Sequence, residues 1–104
     1  MSKGMEEGVM SKVILFVDIR VKPGKRDLFL PLLQKHISVI RTEKGLELID
    51  PYFDTEDVNK ICVWEIWSSR EDWDDHMQNE NSKNWRPIAA DYVEGETIKI
   101  LRQP

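Results

Sequence analysis

The 104-residue sequence lacks the features that would indicate a disulfide-bonded, membrane-inserted or nucleic-acid-binding protein. Its single cysteine, Cys62, cannot form an intrachain disulfide, which is typical of a protein from a reducing compartment. No apolar run reaches the roughly 18 residues that a membrane-spanning helix requires. Acidic residues outnumber basic ones by 19 to 15 without a basic stripe, so neither nucleic acid nor a membrane is an expected partner. We therefore expect a cytoplasmic protein.

The length fits one small domain, and a domain of this size buries only about two-thirds of the surface that its unfolded chain exposes. Association with a second copy would bury more. The first ten residues, MSKGMEEGVM, lack the hydrophobic segment of a signal peptide. We predict a disordered leader over residues 1–11 and a single domain over residues 12–104.

Apolar periodicity predicts the order of the elements. Period-two runs indicate strands over residues 13–21, 46–53, 61–67 and 97–101, while helical spacing indicates a helix from Lys25 to a stop at Gly45. Pro31 predicts a kink in that helix or an irregular beginning. A second, broken helix lies between the last two strands. The order β-α-β-β-α-β is that of an α+β, ferredoxin-like fold with a four-stranded antiparallel sheet.

The third strand is apolar on both of its faces. Ile61, Val63, Glu65 and Trp67 alternate with Cys62, Trp64 and Ile66. A sheet that carries helices on one face would leave the other apolar face bare, and a symmetric homodimer joined through the sheet faces would cover it. On this basis we predict that Cys62 is a free, buried thiol.

A helix is predicted directly after this strand. Ser68 and Glu71 have the spacing of a capping box, which fixes where the helix begins and turns Trp73, His76 and Met77 towards the sheet. We therefore expect Trp67 and His76 on opposite walls of one cavity.

The segments VKPGKRDLF, IRTEKGLELID and ICVWEIWSSREDWDDH resemble the successive signatures of the antibiotic biosynthesis monooxygenase superfamily. The most specific parts are Lys22-Pro23-Gly24, then Arg41, Glu43 and Gly45, and finally Glu65, Trp67 and His76. The resemblance implies a dimeric α/β barrel with a cavity in each subunit. It also implies oxygenation of a quinol, phenol or related small aromatic by dioxygen, with no cofactor and no metal.

That chemistry requires a dry aromatic pocket and a proton acceptor. His76 is the expected base, since the ordinary pKa of histidine, about 6.5, lets it accept a proton near neutrality. Trp67 is expected to supply a wall and an indole N–H. The expected catalytic residues are therefore His76 and Trp67, the expected substrate-binding residues are His36, Glu65, Trp85 and Tyr92, and further hydrogen-bonding neighbours are Asn79, Asn81 and Arg86.

Structural interpretations of the same residues remain open. His76 could be a partly exposed helix residue, His36 a core or rim histidine, and Glu65 the partner of Arg20 across the sheet. The resemblance also includes haem-degrading relatives, in which a second-helix histidine binds iron and an asparagine of the first strand is used. Val17 stands at the position of that asparagine, which argues against haem. An isomerase-like enzyme or a non-catalytic dimer that binds a small metabolite would need the same fold and cavity.

Overall fold

The computed structural model describes residues 11–104. The predicted leader, apart from Ser11, lies outside the described residues. Within them the order of elements is β1 (Val13–Val21), α1 (Arg26–Ile40), β2 (Leu46–Phe53), β3 (Lys60–Trp67), α2 (Arg70–Gln78), α3 (Glu80–Ala90) and β4 (Val93–Leu101). The strands form one antiparallel sheet in the order β2-β3-β1-β4. The predicted ferredoxin-like fold is confirmed, with α2 and α3 together forming the broken second helix.

The core lies between the helices and one face of the sheet. Five alternate residues of β1, from Val13 to Val21, are buried on this face, and Ile61, Val63 and Trp67 lie beside them on β3. Helix α1 packs onto them through a buried stripe at helical spacing, formed by Phe29, Leu33, Ile37 and Ile40. The period-two pattern therefore predicted the buried face of the central strands correctly.

Helix α1 is continuous through Pro31, which lies in its second turn. The helix begins at Arg26 without a side-chain cap at Lys25, and it ends at Ile40 rather than at Gly45. The residues between Ile40 and β2 instead form a series of turns. Gly45 adopts the left-handed conformation there, with φ of 84°, which glycine tolerates because it has no Cβ.

The cap of α2 differs from the prediction by one residue. Ser69, not Ser68, is the N-cap, and its hydroxyl accepts a hydrogen bond from the backbone N–H of Asp72 at 3.1 Å. Ser68 is held at the end of the strand instead, because its N–H donates to the Gly45 carbonyl and its hydroxyl donates to Glu47. Trp73 and His76 face inward as predicted, but Met77 is not buried with them, because it is 37% exposed.

Two further boundaries differ from the prediction. The predicted loop between the two helices shortens to Asn79, whose side chain accepts from the Ser82 N–H at 2.8 Å and so caps α3. Strand β4 begins at Val93, four residues before the predicted Thr97, because its pairing with β1 extends past Arg20 to Val21 across a bulge. Among the residues described, no helix is long and apolar enough to cross a membrane.

Within residues 11–104, the other face of the sheet carries no helix, and it is apolar at its centre with charged residues of all four strands around that centre. Phe16 and Trp64 pack with ring centroids 4.9 Å apart, and Leu48 and Tyr52 beside them are 38% and 52% exposed. Cys62 lies on this face as a free, half-buried thiol. The prediction of a buried thiol is therefore wrong for the single chain, because no helix of the described residues packs on this face.

Candidate functional site

A cavity of about 350 Å³ lies between the helices and the core face of the sheet. Its floor is mostly apolar and is formed by residues of β1, β3 and β4, while aromatic side chains from all three helices form its walls. The floor includes Leu15, Val17 and Val63, and the walls include Phe29, Trp73 and Trp85. This volume is within the range of small-molecule sites, roughly 300–1,000 Å³, and an apolar lining with a few polar groups is typical of them.

His76 is the most constrained polar group of the cavity. Its Nδ1 lies 2.7 Å from Oε1 of Glu43, and the two side chains are only 10% and 11% exposed. A carboxylate oxygen can only accept a hydrogen bond, so Nδ1 carries a proton, and in the neutral imidazole the lone pair is then on Nε2. The arrangement therefore presents an oriented base to the cavity.

The position of Glu43 depends on the turns that follow α1. The Gly45 carbonyl accepts from the Ser68 N–H at 2.7 Å, and the Cα of Gly45 packs directly against the Asp72 side chain in the first turn of α2. These contacts fasten the segment that carries Glu43 to the helix that carries His76. Glu43 was not predicted as a site residue, since it lies 33 residues from His76 in sequence and only its place in the segment IRTEKGLELID singled it out.

Trp67 is fully buried but does not line the cavity. Its ring packs against His76 with centroids 4.8 Å apart, and its Nε1–H donates to Oε1 of Glu65 at 2.9 Å. The prediction that Trp67 and His76 form opposite walls is therefore wrong: they are in contact, and Trp67 lies behind the imidazole. Its indole N–H is already used by Glu65 and is not free for a ligand.

Glu65 lines the cavity, as predicted, but it does not pair with Arg20. Arg20 lies opposite Lys60 and Gly95 at the other end of β1 and is exposed. Burial raises the pKa of the Glu65 carboxyl, and the hydrogen bond from Trp67 only partly opposes that shift.

A second carboxyl group reaches the same cavity from β4. Glu96 is exposed overall, but desolvation of its carboxyl by the surrounding protein raises its pKa, and the charge of Glu65 raises it further. Glu96 was not predicted as a site residue. Its signal in the sequence was weak, because β4 is an edge strand and its polar and apolar residues do not separate cleanly between the two faces.

His36 and Trp85 form one side of the cavity, as predicted. Their rings stack with centroids 4.3 Å apart and an interplanar angle of 9°. Burial lowers the pKa of His36 to about 4, and the nearby His76 lowers it as well, so His36 is a neutral imidazole near pH 7.

The remaining predicted residues lie outside the cavity or at its rim. Tyr92 does not line the cavity but packs on Phe29, with centroids 5.9 Å apart, because it ends the turn before β4. Asn79 is used as a helix cap, and Asn81 lines a separate groove between α1 and α3. Arg86 lines the cavity, and its guanidinium also donates to the Met77 carbonyl. Across residues 11–104, no group of three or more His, Cys, Asp or Glu side chains has the arrangement of a metal site.

The sequence and the structure of this chain are similar to those of known proteins. A family model described as antibiotic biosynthesis monooxygenase matches residues 12–87. An uncharacterised protein of Synechocystis is 31% identical over 98 residues, which cover 94% of this chain and 61% of the relative. The chain thus spans less than two-thirds of that relative.

Solved structures share the fold at lower sequence identity. A protein of Methanosarcina mazei superposes with a TM-score of 0.83 at 22% identity, covering 91% of this chain and 95% of its own. A structure described as an antibiotic biosynthesis monooxygenase gives a TM-score of 0.81 at 20% identity, covering 88% and 98%. A protein of Mycobacterium tuberculosis gives 0.79 at 23% identity, covering 90% and 95%.

Proposed function

This chain belongs to the antibiotic biosynthesis monooxygenase family, and from that premise we propose that it oxygenates a phenol, quinol or related small aromatic with dioxygen and without a cofactor. The observation that carries the proposal is the oriented base. His76, with Nδ1 held by Glu43 at 2.7 Å, faces an apolar, aromatic cavity of about 350 Å³.

The reaction needs a base before it needs oxygen. A phenolate gives up electrons to dioxygen far more readily than a phenol does, so Nε2 of His76 first takes the hydroxyl proton. The imidazolium that forms lies against the Glu43 carboxylate, which stabilises it. The apolar floor keeps water away from the anion, and this strengthens the interaction between the anion and the imidazolium.

Dioxygen then adds to a ring carbon that bears hydrogen. The peroxide anion that forms takes the proton of the imidazolium and becomes a hydroperoxide. Loss of water from this group leaves a carbonyl, so that one oxygen atom remains in the product and the other leaves as water. The two hydrogens of that water come from the hydroxyl group and from the ring carbon. A monohydric phenol thereby becomes a quinone, with dioxygen as the only oxidant.

Neighbouring residues support the base and the ligand. Trp67 acts in this proposal as a positioning residue, because its ring packs on His76 and its N–H fixes Glu65. The stacked His36 and Trp85 offer a flat wall for an aromatic ring. Tyr92, which packs outside the cavity, has no role in binding.

A second candidate function is proton transfer between carbons of a small metabolite, as in an isomerase. It is favoured by Glu65, a half-buried carboxyl group of raised pKa that lines the same cavity as His76. Two groups that exchange protons at one ligand are what such a reaction needs. Haem is not proposed as a substrate, because Val17 places a branched apolar side chain on the cavity floor where the haem-degrading relatives carry an asparagine.

We further propose that the functional unit is a homodimer joined through the open sheet faces. The apolar residues of that face, among them Phe16, Leu48 and Trp64, are accessible in the single chain. Contiguous apolar patches of more than a few hundred Å² are rare on monomers. A two-fold axis through this face would also cover Cys62.

Oxygen consumption by metal-free protein with a panel of phenols and hydroquinones tests the proposal. We expect uptake with at least one of them and a fall of about 10² to 10⁴ in turnover for His76→Ala, which is the usual contribution of a general base. Saturable binding without uptake would instead support a binding dimer, and a product of unchanged oxygen content would support the isomerase.

A further inference from the structure

We infer that the cavity selects against ligands that carry a carboxylate, and that Glu65 at its inner end and Glu96 at its mouth make this selection. The inference rests on the proposed function only in that the substrate occupies this cavity. It concerns which molecules enter and not what happens to them afterwards.

The two carboxyl groups lie on the strands that flank β1. Glu65 is paired with Leu15, and Glu96 is paired with Ile19, four residues further along the same strand. Strand geometry then places their Cα atoms about 16 Å apart, on a diagonal across the cavity floor. Both residues line the cavity, so we place a bound aromatic between them.

The other charged groups do not neutralise this pair. Lowering of the His36 pKa to about 4 leaves that imidazole neutral near pH 7. Any proton that His76 takes up is matched by the Glu43 carboxylate. The titratable and charged groups that line the cavity are His36, Glu65, His76, Arg86, Glu94 and Glu96, so three carboxyl groups face one guanidinium.

The effect of the two carboxyl groups depends on the chemistry of the ligand. A hydroxyl group can donate a hydrogen bond to a carboxylate, and such charge-assisted bonds are stronger than neutral ones. A ligand carboxylate can only accept, so it brings a further negative charge close to two carboxyl groups whose pKa is already raised by desolvation. The charge of Glu43 also raises the pKa of Glu65, and the charge of Glu65 raises that of Glu96. A neutral hydroxylated aromatic therefore binds better than its carboxylated analogue.

Two probes of the same ring system test this inference without turnover. Isothermal titration calorimetry under nitrogen at pH 7.5 compares 2-naphthol with 6-hydroxy-2-naphthoate on the full chain. We expect the neutral probe to bind the unmodified protein about tenfold or more tightly, from one like-charge contact at low dielectric. Glu96→Gln removes one charge and little volume. It should tighten the binding of 6-hydroxy-2-naphthoate and so reduce the ratio of the two affinities.

Glu56→Gln is the matched control. It makes the same change of charge and side chain, but Glu56 is exposed in the turn before β3 and does not line the cavity. The ratio of the affinities for the two probes should be the same in this variant as in the unmodified protein. Glu65→Gln provides a second cavity variant, with its folding checked by circular dichroism, in case the change at the edge strand alters β4.

The outcomes separate this inference from the proposed reaction. Equal affinity for both probes, no binding of either at millimolar concentration, or a ratio that both cavity variants leave unchanged would overturn the selection. A tenfold preference with no oxygen uptake from any phenol would support the selection while the proposed oxygenation fails. Oxygen uptake from a phenol together with equal binding of both probes would support the proposed oxygenation and overturn the selection.

Discussion

Removing the imidazole of His76 should cost the protein a large part of its stability as well as its activity. In His76→Ala, Oε1 of Glu43 loses its partner, and Oε2 is already buried without one among the residues described. A carboxylate left unpaired in this way costs about 3–5 kcal/mol. The total stability of a domain is about 5–15 kcal/mol, so the loss should be obvious in urea denaturation and should lower Tm by well over 10 °C.

A second substitution separates this stability effect from catalysis. Adding Glu43→Gln to His76→Ala removes the unpaired negative charge of Glu43, so it should recover about 1–3 kcal/mol of the free energy of unfolding. It should recover no oxygenation, because the base is still absent. His36→Ala is the control histidine variant. His36 is half-buried and forms no ion pair with any residue from 11 to 104, so the variant loses the stacking on Trp85.

Urea denaturation at pH 7 decides this prediction. If His76→Ala unfolds within about 0.5 kcal/mol of the unmodified protein, the pair contributes no more than a surface ion pair does. If Glu43→Gln destabilises His76→Ala further, Glu43 has another partner and the argument from an isolated buried carboxylate is incorrect.

Four other substitutions test the site and the fold. The pKa of Glu65 is raised above its ordinary 4.5, so its ionisation removes stability as pH rises through the folded pKa. Glu65→Gln should therefore raise Tm at pH 7.5 and have less effect on Tm at pH 4.5. Equal changes of Tm at the two pH values would contradict this prediction. Gly24→Ala should lower the free energy of unfolding by about 1–2 kcal/mol, because the backbone of Gly24 is left-handed. Gly45→Ala should lower it more, because the added methyl group also meets the Asp72 side chain. Equal losses of the two variants in chemical denaturation would contradict that contact. Trp64→Lys should turn a dimer into a monomer in sedimentation velocity at micromolar concentration, and a monomer before the substitution would refute the proposed interface.

The fold was predictable because its main determinants are local. Alternation along β1 and β3 identifies both faces of the sheet, and helical spacing identifies the inward stripe of α1. One boundary error, at the start of α2, arose because two neighbouring residues had the same capping chemistry. Ser68 and Ser69 are both good N-caps, and only the contacts of Ser68 with the turns before β2 decide between them.

The site was predictable only in part, because its central contact joins distant segments. Periodicity turned His76 inward and placed His36 on the apolar side of α1, and both line the cavity. No pattern within either segment pairs Glu43 with His76. Alternation also could not tell that Trp67, on the correct face, packs behind the imidazole instead of beside the ligand.

Oxygen consumption by metal-free protein is the most direct test of the central claim, which is that a base oriented by Glu43 drives oxygenation in the cavity. The account predicts uptake with a phenol or hydroquinone, one oxygen atom from labelled dioxygen in the product and the other in water. It also predicts a loss of about 10² to 10⁴ in turnover for the stabilised His76→Ala, Glu43→Gln variant. Undiminished uptake by that variant, or a product without label, would contradict it.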